Sequence, residues 1–255
     1  MCSMNAEEFR NIRKTEEQFW WFRGMREIVF LWLDPLLRKG SVERAAEAGC
    51  GTGGFALQFE RRYSTTPLIA LDLEPEGLQH AADMGLSHLV AGDIRALPFA
   101  SGSLDLLLSL DVVVHLEKGR EHLAFEEFMR VLKPGGSLLI RVSAMEALRS
   151  RHSEFTWERQ RFSRQRLCEG LEQAGFQIER ISYFNFFLSP VAWLKFRVWE
   201  PLTKAPPASG LEMPPAWLNR ILEACLRLEC RLSKYGVNFP FGQSLVCCAT
   251  RKKVV

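Results

Sequence analysis

The chain has 255 residues, 47% hydrophobic and 25% charged, with a formal net charge of +3 at pH 7. That length suits one domain with embellishments and that apolar content suffices for a sizeable core, which excludes a mainly disordered or fibrous protein. The small, mixed charge is no nucleic-acid footprint, because phosphate binding needs clustered Lys and Arg. The opening MCSMNAEEFRNIRKTEEQF carries charges where a secretory peptide needs an apolar stretch, and no window offers about 18 uninterrupted apolar residues. No transmembrane segment is expected, and the location is read as cytoplasmic. The seven cysteines (Cys2, Cys50, Cys168, Cys225, Cys230, Cys247, Cys248) form no CxxC pair or Cys/His cluster, so they read as reduced thiols, with no metal expected.

In chain order, residues 6–39 show apolar side chains at helical spacing, with Phe9, Ile12, Phe19, Phe22, Ile28 and Leu31 on the repeat and an interruption expected at Asp34-Pro35. A short strand over 42–48 ends in the glycine-rich AGCGTGG, and a helix follows through Tyr63. PLIALDL (67–73) reads as a buried strand ending in an acid, and Pro75 opens a helix to about Met84. Leu89–Ala91 is a brief third strand closing at Gly92-Asp93. LDLLLSL (104–110) is apolar throughout, as a strand buried on both faces would be. A helix over 119–132 stops at Lys133-Pro134-Gly135-Gly136, a strand covers 137–142, a helix 163–174 and a strand 176–183. This alternation predicts an α/β fold with a doubly wound, mostly parallel sheet. The last third departs from it: 184–200 is aromatic-rich, 201–215 is a Pro-rich connector, 216–235 is an amphipathic helix, and a strand returns only at 244–250. An insertion before the final strand accounts for this.

The chemistry concentrates at strand ends. In Glu47-Ala48-Gly49-Cys50-Gly51-Thr52-Gly53, glycines let the chain turn sharply and bring backbone N–H groups close to a ligand. Asp72 closes the second strand, where a carboxylate can accept both hydroxyls of a ribose. Asp93 closes the third, where it can accept from the exocyclic amine of adenine. Three consecutive strand ends, each bearing a ligand group, make a nucleoside site at the carboxyl edge of the sheet.

The stretches AEAGCGTGG, LIALDLEPEGLQHA, LVAGDIRALPFASGSLDLLLSLDVVVHL and EEFMRVLKPGGSLLIRV resemble the class I S-adenosylmethionine-dependent methyltransferases, in their small-molecule, type 11-like branch. The resemblance covers about residues 43–142. It implies a Rossmann-like fold with a seven-stranded sheet closed by an antiparallel strand at 244–250, and S-adenosylmethionine as cofactor, with S-adenosylhomocysteine as product. It places Glu47 near the methionine amino group, Gly49, Cys50, Gly51 and Gly53 in the loop beneath the cofactor, Asp72 and Leu73 at the ribose, Asp93 and Ile94 at the adenine, and Leu110 and Asp111 near the methyl group. Glu47 stands where aspartate is more usual, and Val114 where related sequences often carry glutamate before the histidine. A dinucleotide-dependent dehydrogenase, the competing reading of the glycine loop, wants G-x-G-x-x-G, whereas GCGTGG ends one residue early.

By this resemblance the chain divides into an N-terminal helical cap (1–40), a cofactor-binding core (41–183 and 244–255) and a helical insertion or lid (184–243) that builds part of the acceptor site. The expected activity is methyl transfer to a small, partly apolar or aromatic acceptor, at oxygen first. The alternatives are nitrogen or carbon of a small or lipid-linked metabolite, and a cofactor-binding partner subunit without turnover. Candidate bases are His115, near the methyl group by family geometry and equally readable as a helix-start histidine bonded to backbone, and His152, equally readable as part of a charged loop with Arg159 and Arg161. Trp20, Trp21, Tyr183 and Asn185 are the candidate acceptor contacts, since aromatic lid segments suit an apolar acceptor. The expected partners are a small-molecule acceptor, no nucleic acid, and a monomer or homodimer. Trp193, Phe196 and Trp199 interleaved with Lys195 and Arg197 also suit peripheral membrane contact.

Overall fold

The computed structural model describes residues 5–38, 42–203 and 205–252. Cys2, residues 1–4, 39 and 40 of the expected cap, residue 41 and residues 253–255 of the expected core, and residue 204 of the connector lie outside the described residues. In chain order the elements are α1 (Ala6–Thr15), α2 (Trp20–Leu37), β1 (Ala45–Ala48), α3 (Gly54–Arg62), β2 (Leu68–Asp72), α4 (Pro75–Asp83), β3 (Leu89–Ala91), β4 (Leu104–Leu110), α5 (Glu121–Val131) and β5 (Leu132–Ser143). There follow α6 (Arg151–Phe155), α7 (Arg164–Gln173), β6 (Phe176–Phe184), α8 (Ser189–Leu194), α9 (Glu200–Thr203), α10 (Ala216–Lys234) and β7 (Ser244–Arg251), with a π-helical segment at Lys195–Trp199 joining α8 to α9.

The strands form one seven-stranded sheet in the order β3-β2-β1-β4-β5-β7-β6. β3 to β5 run parallel, and β7 inserts antiparallel between β5 and β6. Leu106, Leu107 and Leu108 of β4 are wholly buried, as are Ala45, Ala46 and Ala48 of β1, because helices cover both faces of a parallel sheet. The chain steps outward from β1 to β2 to β3 and then returns to pair β4 on the other side of β1. The topological switch point therefore lies between β1 and β4, where a crevice opens at the carboxyl ends of the strands.

One sequence expectation is corrected here. The N-terminal helix breaks at Glu16–Phe19, while α2 runs through Asp34-Pro35. Pro35 sits in the last turn of α2, where the Asp34 carboxylate accepts from the Tyr63 hydroxyl at 2.7 Å and from the Arg62 guanidinium at 3.0 Å, pinning the helix end to α3. The break instead follows Thr15, whose carbonyl accepts from the amides of Gln18 and Phe19 and turns the chain.

The cap and the insertion are packed on one another. Phe19 precedes α2 and offers no side-chain cap, so the start of the helix is satisfied from far along the chain: Asn219 Oδ1 accepts from the Trp20 amide at 3.0 Å and Asn219 Nδ2 donates to the Gln18 carbonyl at 2.9 Å. Trp32 donates to Ser233 Oγ at 3.3 Å under the Arg180 guanidinium, 4.4 Å from the Trp32 ring. α10 lies directly on Gly24, where a Cβ would stand 2.4 Å from Leu226 Cδ1. Gly24→Ala is therefore expected to destabilise the protein by about 1–3 kcal/mol. Denaturant unfolding should show part of that loss recovered when Leu226→Ala is added, the signature of two positions sharing one space.

Candidate functional site

The site is built first from backbone. At the end of β1, Gly49 (φ +86°) passes so close to Val112 that a Cβ would stand 2.5 Å from its side chain. Gly51 (φ +57°) has nothing within 4 Å of the position a Cβ would take, so its bare backbone faces the open space of the cavity. Gly53 turns away and packs against Ala81 and Leu86, which makes its place structural. The Asp72 carboxylate holds the loop: Oδ2 accepts from the Gly51 amide at 2.7 Å and Oδ1 from the Glu74 amide at 2.9 Å. Burial pushes the Asp72 carboxyl up, and these two amides oppose that shift.

One cavity of about 770 Å³ opens above this loop. Glu47, Gly49, Cys50, Gly51, Asp72, Leu73, Asp93, Ile94, Leu110 and Asp111 all border it. Asp93 is held by Arg95, through the backbone amide at 2.8 Å and the guanidinium at 2.5–3.0 Å, which keeps its carboxyl below the usual carboxylate range. Asp111 stands at φ +60° and accepts from Arg141 Nε at 2.8 Å, while its Oδ1 is buried without a partner among the described residues. Arg141, projecting from β5, also lies 5.1 Å from the Trp21 ring and so joins the core to the cap. Glu47 is 1% exposed, and burial pushes its carboxyl up to about 8, with Arg141 pulling the other way.

Both candidate histidines border the same cavity. His115 ends a 3-10 turn (Val113–His115), and burial lowers its pKa, so the ring is neutral at pH 7. The Trp157 backbone opposes that shift, and Nδ1 is buried without a partner among the described residues, so the structural and the functional readings of His115 coexist. His152 Nδ1 bonds the Ser209 carbonyl and must carry the proton there, which leaves Nε2 as an acceptor. Its neighbour Arg161 is no surface charge, for it is paired in the interior with Glu158 at 2.8 Å.

Trp20 and Trp21, from the cap, and Asn185, just after β6, border the cavity as well. Asn185 is 1% exposed at φ +60°, with both amide atoms unpartnered among the described residues. Tyr183 is a correction: it does not border the cavity, and its hydroxyl accepts from the Arg164 amide at 2.9 Å, where it steadies the start of α7. The end of β6 at Phe184 and the left-handed turn at Asn185 explain the difference, since that turn takes Asn185 out of the strand's two-residue repeat. Sequence reasoning also passed over Arg141, Glu8 and Glu16. An arginine inside the apolar run SLLIRVS was a signal for the first. The two glutamates look like solvent-facing residues of a charged helix, and only the tertiary docking of α1 buries them.

Among the described residues no three His, Cys, Asp or Glu side chains group as a metal site, and the six described cysteines are free thiols. The buried acid at the loop has a consequence for the protein alone. An unfolded Glu47 ionises near 4.5 and the folded one near 8, so the unfolded chain loses its proton first and stability falls as the pH rises across that window. Glu47→Gln removes this liability. The variant's Tm relative to the parent is expected to climb between about pH 5 and pH 8 and then level off, as thermal unfolding without ligand would show.

Residues 46–140 match the family of methyltransferase domains. The chain is 34% identical over 160 residues to malonyl-[acyl-carrier protein] O-methyltransferase of Herminiimonas arsenicoxydans, covering 60% of each chain. It is 40% identical over 103 residues to the enzyme of the same name from Erwinia pyrifoliae, covering 40% of this chain and 38% of that one. The matched stretch thus spans less than two thirds of these relatives. Among solved structures, a SAM-dependent methyltransferase from Thermotoga maritima superposes with a TM-score of 0.57 at 18% identity, over 97% of this chain and 96% of that one. Geranyl diphosphate C-methyltransferase from Streptomyces coelicolor A3(2), solved with S-adenosyl-L-homocysteine, gives 0.53 at 16% identity, over 82% and 72%. These two share the fold. With its sheet order and its glycine loop, the chain carries a match to methyltransferase domains over residues 46–140 and shares the fold of the class I S-adenosylmethionine-dependent methyltransferases.

Proposed function

We propose that the protein moves a methyl group from S-adenosylmethionine to a small, partly apolar or aromatic acceptor, at an oxygen atom. The observation that carries this reading is one cavity bordered by the glycine loop and Asp72, by the tryptophans of the cap, and by two imidazoles. The oxygen preference rests on the relatives named as O-methyltransferases.

The residues fit the cofactor. Each Asp72 oxygen already accepts one amide and keeps a lone pair for a ribose hydroxyl, and a carboxylate there rejects a 2′-phosphate. Gly51 leaves room for a ligand against the backbone, and Glu47 Oε2, unpartnered among the described residues, is open to a donor. Asp93 and Ile94 take the adenine, with Leu73 and Cys50 alongside the nucleoside, and Leu110 and Asp111 lie beside the reacting end. The cofactor supplies a sulfonium with an activated methyl, and the protein's part is to align an acceptor lone pair with the S–CH₃ bond and exclude water. Trp20, Trp21 and Asn185 hold the acceptor. His115, or His152 through Nε2, serves as base where the acceptor retains its proton at working pH; a carboxylate acceptor needs none.

On this reading residues 41–183 and 244–255 are the cofactor-binding core, and 1–40 with 184–243 form the acceptor lid. A second reading, a lipid-linked acceptor met at a membrane surface, is favoured by the exposed Val191, Leu194, Trp199 and Leu202 along 189–203. None of the described helices is long and apolar enough to cross a membrane.

Calorimetric titration with S-adenosylmethionine, S-adenosylhomocysteine and NADH tests the cofactor: the two sulfur nucleosides are expected to bind and NADH not. Asp72→Ala should weaken both sulfur nucleosides by about 1.5–3 kcal/mol, and an unchanged dissociation constant would remove Asp72 from the site. Mass-spectrometric screening of an acceptor panel then reports the methylated atom. With a hydroxyl acceptor, loss of the base imidazole should slow turnover about 10²–10⁴-fold and flatten the acid limb of the pH profile; with a carboxylate acceptor neither His115→Ala nor His152→Ala should do so.

A further inference from the structure

We infer that Glu16, at the break between α1 and α2, is a ligand-contacting residue that forms with Glu47 a two-carboxylate subsite for the ammonium group of the cofactor's methionine part. The inference rests on the S-adenosylmethionine reading and assigns to the N-terminal cap a direct hold on the cofactor.

Glu16 is a side chain the loop makes room for. Its Oε2 accepts from Thr52 Oγ1 at 2.7 Å, and a Cβ on Gly54 would stand 2.1 Å from that same oxygen, so glycine at this position is what lets the carboxylate reach the loop. It is 7% exposed and borders the same cavity as Glu47. Glu16 Oε1 and Glu47 Oε2 are both buried without a hydrogen-bond partner among the described residues. Two acceptors left open in one cavity call for a donor, and each carboxylate disfavours ionisation of the other when nothing positive lies between them. Burial raises the pKa of both, and Glu16 adds to the shift at Glu47. The cations that bear on the pair come from outside it, Arg13 and Arg26 acting on Glu16 and Arg141 on Glu47. An ammonium carries three donors and a full charge, which matches two open carboxylate oxygens brought to one cavity from the cap and from β1. A neutral hydroxyl would satisfy one acceptor and leave the pair's repulsion in place.

The test is a calorimetric cycle with two ligands, S-adenosylhomocysteine and its desamino analogue, which lacks only the amine. Glu16→Gln is expected to weaken S-adenosylhomocysteine on the order of tenfold or more and to leave the desamino analogue within about twofold. The parent protein alone should prefer S-adenosylhomocysteine over the analogue by at least the same factor, a measurement that stands even if the variant folds poorly. Equal losses for both ligands would mean that Glu16 acts only by bracing Thr52, and no loss for either would mean that it does not touch the cofactor; each overturns the assignment while leaving the cofactor reading intact. Failure of the parent to bind either nucleoside would overturn the cofactor reading and the subsite with it.

Discussion

The hydrogen bonds converging on the Asp72 carboxylate are what the rest of the site depends on. One oxygen holds the amide of Gly51 and the other that of Glu74, so a single side chain at the end of β2 fixes both the loop leaving β1 and the turn entering α4. The Leu71 carbonyl reinforces it by accepting from Gly49 and Cys50. Because β1 and β2 are neighbours in parallel register, this knot forms only when the sheet has its proper order. Loop shape, cavity floor and the open face of Gly51 are therefore consequences of strand pairing.

Electrostatically the cavity is unusual for the number of acids it buries. Glu8, Glu16, Glu47 and Asp72 are all out of water, and burial pushes each of their carboxyls up. Only Glu47 and Asp72 belong to the sheet; the other two arrive with α1. A protein carrying such groups spends stability to keep acceptors ready, which is intelligible where a cationic, donor-rich ligand is bound.

The sheet and the loop were legible in the sequence because they follow from local rules. LDLLLSL can only be a strand buried on both faces, Gly-x-Gly-x-Gly needs positive φ at defined places, and Asp72 and Asp93 close their strands where the alternation ends. What sequence periodicity could not resolve was tertiary. Asp34-Pro35 carries a local break signal, yet anchoring by Arg62 and Tyr63 carries the helix through it. Glu8 and Glu16 sit among charged neighbours and read as solvent-facing until α1 docks. Tyr183 and Asn185 are two residues apart, but the strand ends between them, and the left-handed turn at Asn185 rather than the strand period decides which enters the cavity.

Asn219 gives the N-terminal helices and the insertion before β7 a common fate. It belongs to the insertion, yet it supplies the hydrogen bonds that begin the second helix of the cap, nearly two hundred positions earlier in the chain. Neither segment can be remodelled alone without stranding polar groups of the other. Change at the seam is thereby channelled into paired substitutions, while the strand ends that floor the cavity, tied together by their own pairing, are left undisturbed.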